Sequence, residues 1–580
     1  MQCFTLRESL AQYLQKNNKE GSADAFVCTI PPDRKYGDIC INIFPAVKTT
    51  KTPPPELAQG VLDFMKRENY VTDGNIQGGF VNLFVTDEFY QKELRAWSLP
   101  KFEKKNEKII IDYMGANIGK PLHIGHLCTP LFGQATINLL RLMGYDVTAD
   151  MHQGDWGGIF GKLITGWKYF GDGDAFEKDP VHHLLEIYVA ITEKTEKEPE
   201  IEQECRDAFR LLSEGDEASV KLWQQFTDKS LAGVRTVMSE FGVHPDIWIG
   251  ESFYEGIALP KLGNWPDLSP DNTMSAVVDE LIKKWIATKN EDESVGVVFA
   301  KETKLPSCIL QKRDGTHGYL ASDLAAIKYR LKNWSPSRIV YFVDNRQALH
   351  FRQLFATAKA AWLSVERGAL NVELTHAGNG FVSLPDGAMS TRHGRVIFLK
   401  DLIGESFDRV KKILEERERT LSESDTKAVA LGAIVYSFLS QDRERDWIFE
   451  WDKVLAFEWN SGPYLQYTYV RWKKILTEIG REIEDDAPLS HLTVFDRDLI
   501  LDILGFNELL ENCGASYKFH ILIAHIATMA RHLNALYVNT PKLKETETRE
   551  QMGRIKIIHT CLEIIRYTST ILGMPLPEEM

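Results

Sequence analysis

Three features predict a multidomain α/β protein. β-α-β alternation begins at Ile109, a charged helical stretch interrupts it, and helix follows helix through the last third of the chain. The expected architecture is an open parallel sheet carrying a helical insertion, a small N-terminal α/β domain before it and an all-α C-terminal bundle after it. A chain of 580 residues is too long for one core, so two to four domains are expected. Its 44% hydrophobic and 26% charged residues are ordinary for a globular protein. No uninterrupted apolar run approaches a membrane span, and Met1 to Glu8 lacks the basic and apolar regions of a signal peptide. The eight cysteines are scattered without a Cys-x-x-Cys pair, so a reduced, cytoplasmic protein with no cysteine zinc site is expected. A net charge of −14 argues against bulk attraction to nucleic acid but leaves room for a local basic face.

Residues 1–105 read as the small α/β domain. A helix spans Leu6 to Leu14, a strand runs from Phe26 to Ile30 up to the stop at Pro31-Pro32, and a second helix follows Pro53-Pro54-Pro55 from Glu56 to Arg67. Gly78-Gly79 and the β-rich Phe80 to Val85 read as another strand. The charged run Glu103 to Lys108 marks the boundary with a second domain, 106–405. There Ile109 to Tyr113 is a strand, Ile124 to Met143 a helix closed by Gly144, and Tyr145 to Ala149 the next strand. Residues 171–245, dense in Glu and Lys, read as the helical insertion. The α/β pattern resumes at Val295 to Phe299, Cys308 to Leu310 and Arg338 to Val343. From 406 to 580 β signals vanish and apolar residues recur every three or four positions.

The most informative stretch joins the first parallel strand to its helix: Gly115-Ala116-Asn117-Ile118-Gly119-Lys120-Pro121-Leu122-His123-Ile124-Gly125-His126. Open α/β sheets bind ligands beyond the carboxyl ends of their strands, and a helix N-terminus there offers N–H groups and a positive dipole end to phosphate. Gly125 lets a flat adenine lie against the backbone. His123 and His126 can donate hydrogen bonds to phosphate oxygens as charge develops in a displacement at an α-phosphate. His-x-x-His by itself is a weak signal, equally compatible with two structural histidines, and no third zinc ligand lies nearby. Three other segments stand out. Gly154-Asp155-Trp156-Gly157 alone reads as a tight turn with a packed Trp. Tyr319 and Asp323 are four apart and share a helical face, where a carboxylate beside an aromatic ring suits a planar cation. Met389-Ser390-Thr391-Arg392-His393 sits between Gly387-Ala388 and Gly394 in a loop able to close over a ligand.

Together these segments resemble the arginyl branch of the class I aminoacyl-tRNA synthetases, in that family's order, from about residue 25 to the last. The first stretch is similar to the HIGH motif in its arginyl setting, with Gly115, Ala116 and Gly119 in place of a Ser-Pro pair and an Ala. Gly154 to Gly161 resembles a Gly-Asp-Trp-Gly-x-Gln-Phe-Gly element, with Ile159 where the family has Gln. Val343-Asp344-Asn345-Arg346-Gln347 resembles a Val-Asp-x-Arg-Gln strand end, and His350 beyond it reads as either a site residue or a loop histidine. The Met-Ser-Thr-Arg segment resembles the arginyl form of the KMSKS loop, with Thr391 where its second lysine would stand.

The resemblance implies a Rossmann-like catalytic domain and arginine–tRNA ligation through an arginyl adenylate, with ATP and Mg²⁺ consumed as a substrate complex. It implies no prosthetic group, no structural zinc and no membrane partner, and a monomer is expected. Lys120 would supply the charge missing from the loop. His123, Gly125, His126, Met389 and His393 would bind ATP, while Ser390, Thr391 and Arg392 close over it. Asn117, Tyr319, Asp323 and Gln347 would hold arginine. The tRNA, needed even for the first step, would be touched by Asn42, Tyr464, Tyr467, Arg531, Tyr537 and Met580, although aromatic residues on helices commonly belong to cores. The alternatives are a synthetase for glutamate or cysteine, a small-molecule nucleotidyltransferase, and a catalytically silent tRNA-binding protein.

Overall fold

The computed structural model describes residues 3–580 apart from 18, 32, 258–265, 364–371, 386, 388–395, 459, 482–488, 490 and 547. The chain opens with α1 (Phe4–Lys16), β1 (Val27–Thr29), β2 (Ile39–Asn42), α2 (Phe44–Thr50), α3 (Pro54–Met65), β3 (Val71–Gln77), β4 (Phe80–Val85) and α4 (Asp87–Ala96). The strands form an antiparallel sheet, order β1-β2-β4-β3, whose core takes Leu6, Leu10, Leu57, Val61 and Phe89 from the helices. Gly78 and Gly79 are the β3–β4 turn rather than the start of a strand. Their φ of 57° and 87° lies in the left-handed region that glycine enters without a Cβ penalty.

Next come β5 (Lys108–Asp112), α5 (Cys128–Leu142), β6 (Asp146–Met151), then α6 (Gly158–Phe170), α7 (Gly173–Lys178), α8 (Pro180–Lys197), α9 (Pro199–Ser213) and α10 (Glu217–Glu240). These last helices are the insertion, built on Trp156, Phe160, Trp223 and Phe226. There follow β7 (Ile247–Trp248), α11 (Met274–Lys283), β8 (Ala287–Lys289), β9 (Val295–Val297), β10 (Cys308–Gln311), α12 (Tyr319–Trp334), β11 (Arg338–Tyr341), α13 (Ala348–Trp362) and β12 (Glu373–His376). Strands β5, β6, β7, β11 and β12 make a fully parallel sheet in the order β12-β11-β5-β6-β7. The chain leaves β5 for β6 on one side and later returns to β11 on the other, which opens a crevice at their carboxyl ends.

The segments at Val295 and Cys308 do not continue that sheet as the sequence pattern suggested. They pair with β8 as a separate antiparallel sheet. Only five residues join β8 to β9, enough for a hairpin but not for the crossover a parallel pair requires.

The last third holds β13 (Val382–Ser383), α14 (Leu399–Glu416), α15 (Glu423–Leu439), β14 (Trp447–Ile448), α16 (Trp451–Val454), α17 (Gly462–Ile479), α18 (Val494–Ser516), α19 (His520–Asn539) and α20 (Thr548–Leu572). One short β pair, β13 with β14, interrupts the expected run of helices. Among the described residues α19 alone is long and apolar enough to cross a membrane. Here it is a core helix, with Leu522, Ile523, Ile526, Met529 and Leu533 buried inside the bundle. Arg34 with Asp498, and Arg497 with Asp87 at 2.9 Å, tie the N-terminal unit to α18.

One buried cluster fastens α12 to the sheet. The Arg330 guanidinium, 1% exposed, donates to Asp150 Oδ2 of β6 at 2.8 Å, Asp112 Oδ2 of β5 at 2.7 Å and the Tyr341 hydroxyl of β11 at 3.1 Å. Burial pushes the Asp112 carboxyl up to about 6, against the pull of Arg330, and raises Asp150 in the same way. Removing the cation would strand two buried carboxylates, a loss of about 3–5 kcal/mol. Arg330→Met should therefore lower the unfolding free energy of the catalytic domain by that much, read from urea titrations. Adding Asp112→Asn and Asp150→Asn to it should recover a large part; a loss below about 1 kcal/mol for the single variant would mean that water already shares the cluster.

Candidate active site

The helix expected from Ile124 begins instead as a 3₁₀ turn over Ile124–His126 and becomes α-helical only at Cys128. Two side chains cause this. His123 Nδ1 accepts from the Gly125 N–H, and His126 Nδ1 accepts from the His123 N–H, both at 3.1 Å. The rings lie 3.8 Å apart. A backbone amide can only donate, so each imidazole must carry its proton on Nε2, which is left to donate elsewhere. Burial, helped by Arg346, pulls His123 down to about 4; burial, helped by His123 and Lys120, pulls His126 down to about 3. The pair is therefore two neutral N–H donors. Lys120 supplies charge nearby, with its ammonium 3.8 Å from the Tyr188 ring centre on α8.

The segment that follows the Met-Ser-Thr-Arg loop is strapped onto this turn. His123 bridges Phe398, the Ile124 N–H donates to the Ile397 carbonyl, and the Leu399 N–H donates to the Leu122 carbonyl, both at 2.9 Å. Met389, Ser390, Thr391, Arg392 and His393 themselves lie outside the described residues.

On the far side of the crevice, α12 presents Tyr319, 67% exposed, and Asp323. Asp323 Oδ2 accepts from His350 Nε2 at 2.6 Å, and Oδ1 stands 3.8 Å from His152 Nε2. His350 lies in the first turn of α13, not in a loop. Burial alone would raise Asp323, but the bond and charge of His350, with His152 and Arg330, hold it below the ordinary carboxylate value. His152 donates from Nδ1 to the Ile249 carbonyl at 2.9 Å, and burial lowers its pKa.

The sequence reading missed a second acid, because Glu251 lies in no recognised motif. It follows β7, and burial together with the charges of Asp323 and Asp155 raises its carboxyl well above the usual value. Asp155 holds it there, accepting from the Ser252 N–H and hydroxyl, both at 2.8 Å. The Gly-Asp-Trp-Gly segment is thus a bracket. Asp155 fixes the turn at Glu251, and Trp156 packs edge-on against Phe209 and Trp223 of the insertion. Gly154 lies so close to Asn117 that a Cβ would meet its Oδ1 at 2.5 Å, which leaves glycine as the residue that fits. Asn117 and Gln347 are both exposed at the crevice rim, Gln347 in the short turn after β11. An Arg346–Asp344 ion pair, bidentate at 2.9 and 2.8 Å, closes that turn.

Two neutral N–H donors after β5 thus stand at the carboxyl-end side of the parallel sheet together with two acids, Asp323 of α12 and Glu251 after β7. Residues 94–451 match the family described as tRNA synthetases class I (R), catalytic domain; 465–580 match the DALR anticodon binding domain, and 5–85 the arginyl tRNA synthetase N terminal domain. An arginine–tRNA ligase of Clostridium acetobutylicum is 32% identical over 565 residues, 96% of each chain. The chain belongs to the arginyl-tRNA synthetases. Solved structures of that family from Thermus thermophilus (TM-score 0.78, 20% identity) and Plasmodium falciparum (TM-score 0.76, 21% identity) cover all of this chain and share its fold.

The residues singled out beyond the catalytic sheet fare unevenly. In the bundle, Tyr467 and Tyr537 flank the Arg471 guanidinium, 5.9 and 3.6 Å from the two ring centres, a stack whose central residue the sequence did not signal. Tyr464 packs inward, its hydroxyl accepting from Asn534 at 2.8 Å, and Met580 is half-buried against the core. Arg531 is not brought to that stack. It lies about 120° round α19 from Tyr537 and contacts His532 at 3.1 Å. Asn42 accepts from the Phe44 N–H at 3.0 Å beside the exposed pair Phe44 and Phe80.

The depressed histidine values have a measurable consequence. The unfolded chain takes up imidazole protons near 6.5, the folded one only at about 4 and about 3. Their contribution to stability is full above 6.5 and is lost as pH falls towards those lower values. The ring C–H resonances of His123 and His126 should hold steady from pH 8 to pH 5; a midpoint near 6.5 for either would show that its ring is not buried.

Proposed function

We propose that this chain ligates arginine to its cognate tRNA in two steps, with the crevice at the ends of β5, β6 and β11 as its active site. The arginine carboxylate attacks the α-phosphate of ATP and pyrophosphate leaves; the 3′-terminal ribose hydroxyl of the tRNA then takes the arginyl group. The observation that carries the reading is the opposition, across one crevice, of the His123–His126 pair of N–H donors and the acids Asp323 and Glu251.

His123 and His126 donate from Nε2 to phosphate oxygens as negative charge grows on them. Because both rings are neutral and pinned by backbone bonds, they need no reorganisation at that moment. Gly125 leaves room for the adenine. Lys120 swings from Tyr188 to the phosphates, and the segment Met389 to His393 closes over them. Its stem, paired with His123, supports that role. Displacement of this kind rests on positioning and charge stabilisation rather than on a side-chain nucleophile. Mg²⁺ comes with ATP on the phosphate oxygens, and no prosthetic group or structural zinc takes part.

Asp323 and Glu251 accept the guanidinium, Tyr319 lies against its plane, and Asn117 and Gln347 hold the α-amino and carboxylate end. A planar cation with five N–H donors satisfies two carboxylates at once, which an acidic or thiol substrate cannot do. The Tyr467–Arg471–Tyr537 stack meets the tRNA anticodon, Arg531 adds a contact from another face of α19, Tyr464 and Met580 brace the bundle behind them, and Asn42 meets the tRNA body. We read the domains as 1–105, 106–405 and 406–580, and the enzyme as a cytoplasmic monomer without a membrane partner.

Charging assays with twenty amino acids and total tRNA should give a product with arginine alone; charging with another amino acid, or none, overturns the reading. His126→Ala should slow adenylate formation by about 10²-fold or more, the usual cost of one preorganised donor. A rate within twofold of the parent would remove His126 from the chemistry. Asp323→Asn should raise the KM for arginine and leave that for ATP nearly unchanged, whereas equal losses would make Asp323 architectural.

A further inference from the structure

We infer that His350 is a positioning residue that couples arginine affinity to pH, by competing with the substrate for the carboxylate of Asp323. The inference rests on Asp323 as the guanidinium acceptor. It adds a role for a histidine that no step of the reaction uses.

Geometry comes first. His350 Nε2 lies 2.6 Å from Asp323 Oδ2, and the bond joins the first turn of α13 to the first turns of α12. A carboxylate on a helix can rotate about its terminal torsion. This bond fixes Oδ2, so Oδ1 is the oxygen left to address a ligand. His152 guards the other flank, 3.8 Å from Oδ1. Its Nδ1–H is committed to the Ile249 carbonyl, and its Nε2 is buried without a partner among the described residues. Asp323 is therefore held from one side by a hydrogen-bond donor and faced on the other by a lone pair. The free oxygen meets no competing donor until a ligand arrives.

The charged groups around His350 decide what protonation does. From α12 it faces Asp323, itself within the field of Arg330. From β12 it faces His376, which donates to the Val343 carbonyl at 3.0 Å and stacks on Phe351; burial keeps that ring neutral. Glu251 also lies within the field of Asp323, whose charge, with burial and Asp155, favours the protonated form of its carboxyl. Burial alone would lower His350, but the Asp323 bond and charge outweigh it and hold the imidazole above the ordinary histidine value. At pH values below that raised one, a protonated His350 is the counter-ion of Asp323.

A guanidinium entering the site brings a second positive charge to the same carboxylate. Proton and substrate then oppose each other, and linkage requires the effect to be mutual. Arginine binding releases a proton from His350, and lowering the pH weakens arginine binding. The sign follows from the raised pKa. Above it His350 is neutral, still donates from Nε2 to Oδ2, and costs the substrate nothing. Below it each further pH unit raises the arginine KM, by up to about tenfold per unit for full exclusion. The ATP KM, set by the other side of the crevice, stays level.

The test uses the full chain with tRNA. The arginine and ATP KM values are measured from pH 5.5 to 8.5 for the parent, His350→Gln and Asp323→Asn. Glutamine places an N–H donor near the position of Nε2 but does not titrate. Calorimetry of arginine binding in two buffers of different ionisation enthalpy counts the protons released. The expected result is a parent arginine KM that rises as pH falls, with proton release near and below the midpoint of that rise. His350→Gln should keep a KM within about threefold of the parent at pH 8, flatten the rise and release fewer protons than the parent, with any residual release due to Glu251. A Gln variant that keeps the parent's pH profile or proton release would overturn the inference and leave Asp323 as the acceptor. So would an ATP KM that climbs in step with the arginine KM. An Asp323→Asn variant with an unchanged arginine KM would overturn the underlying reading along with it.

Discussion

The three-cornered contact of Arg330 with Asp112, Asp150 and Tyr341 is the constraint on which the active site depends. Parallel strands end in loops, and loops alone do not hold a carboxylate to within a fraction of an ångström of its partner. Here a buried guanidinium on α12 reaches the carboxyl ends of three adjacent strands, β5, β6 and β11. Asp323 stands seven residues before Arg330 on α12, two turns away along the same face. The cluster therefore registers the cation-binding side of the crevice against the strand whose loop carries His123 and His126. It also places a positive charge that helps keep Asp323 ionised.

A second device brings the insertion into the same frame. Asp155, in the loop after β6, spends its carboxylate on Ser252 and its carbonyl on the Trp223 indole at 2.7 Å. One residue thus fixes both the turn bearing Glu251 and a core tryptophan of the insertion. Trp156 beside it seals the joint. Helices α6–α10 are for this reason an extension of the active-site wall rather than an appended domain. The same economy appears at the phosphate side, where the two histidines replace the hydrogen bonds of a regular helix start with their own. That substitution sets their tautomer and their charge.

The parallel sheet was legible from Ile109 to Ile111, a run buried on both faces, and the last third from its helical spacing. The antiparallel sheet of β8–β10 was not, because a short apolar run states that a strand exists and not which neighbour it takes. Edge strands β7 and β12, two and four residues long, left too little pattern to read. At the crevice, His123, His126, Tyr319 and Asp323 were singled out because their spacing carried a recognisable motif. Glu251, His152 and Arg330 were missed because each acts through residues far away in sequence: 251 with 155 and 323, 152 with 249, and 330 with 112 and 150.

The sequence by itself determined the family and the order of units and singled out residue types suited to phosphate and to a guanidinium, since local motifs encode local backbone and chemistry. Only the tertiary structure decided their charge. Proton affinity depends on burial and on neighbours brought in from other strands, so two histidines that look basic in the sequence are neutral. An acid that looks solitary, Asp323, acts on a second acid, Glu251, and a histidine of undecided standing, His350, is bonded to it.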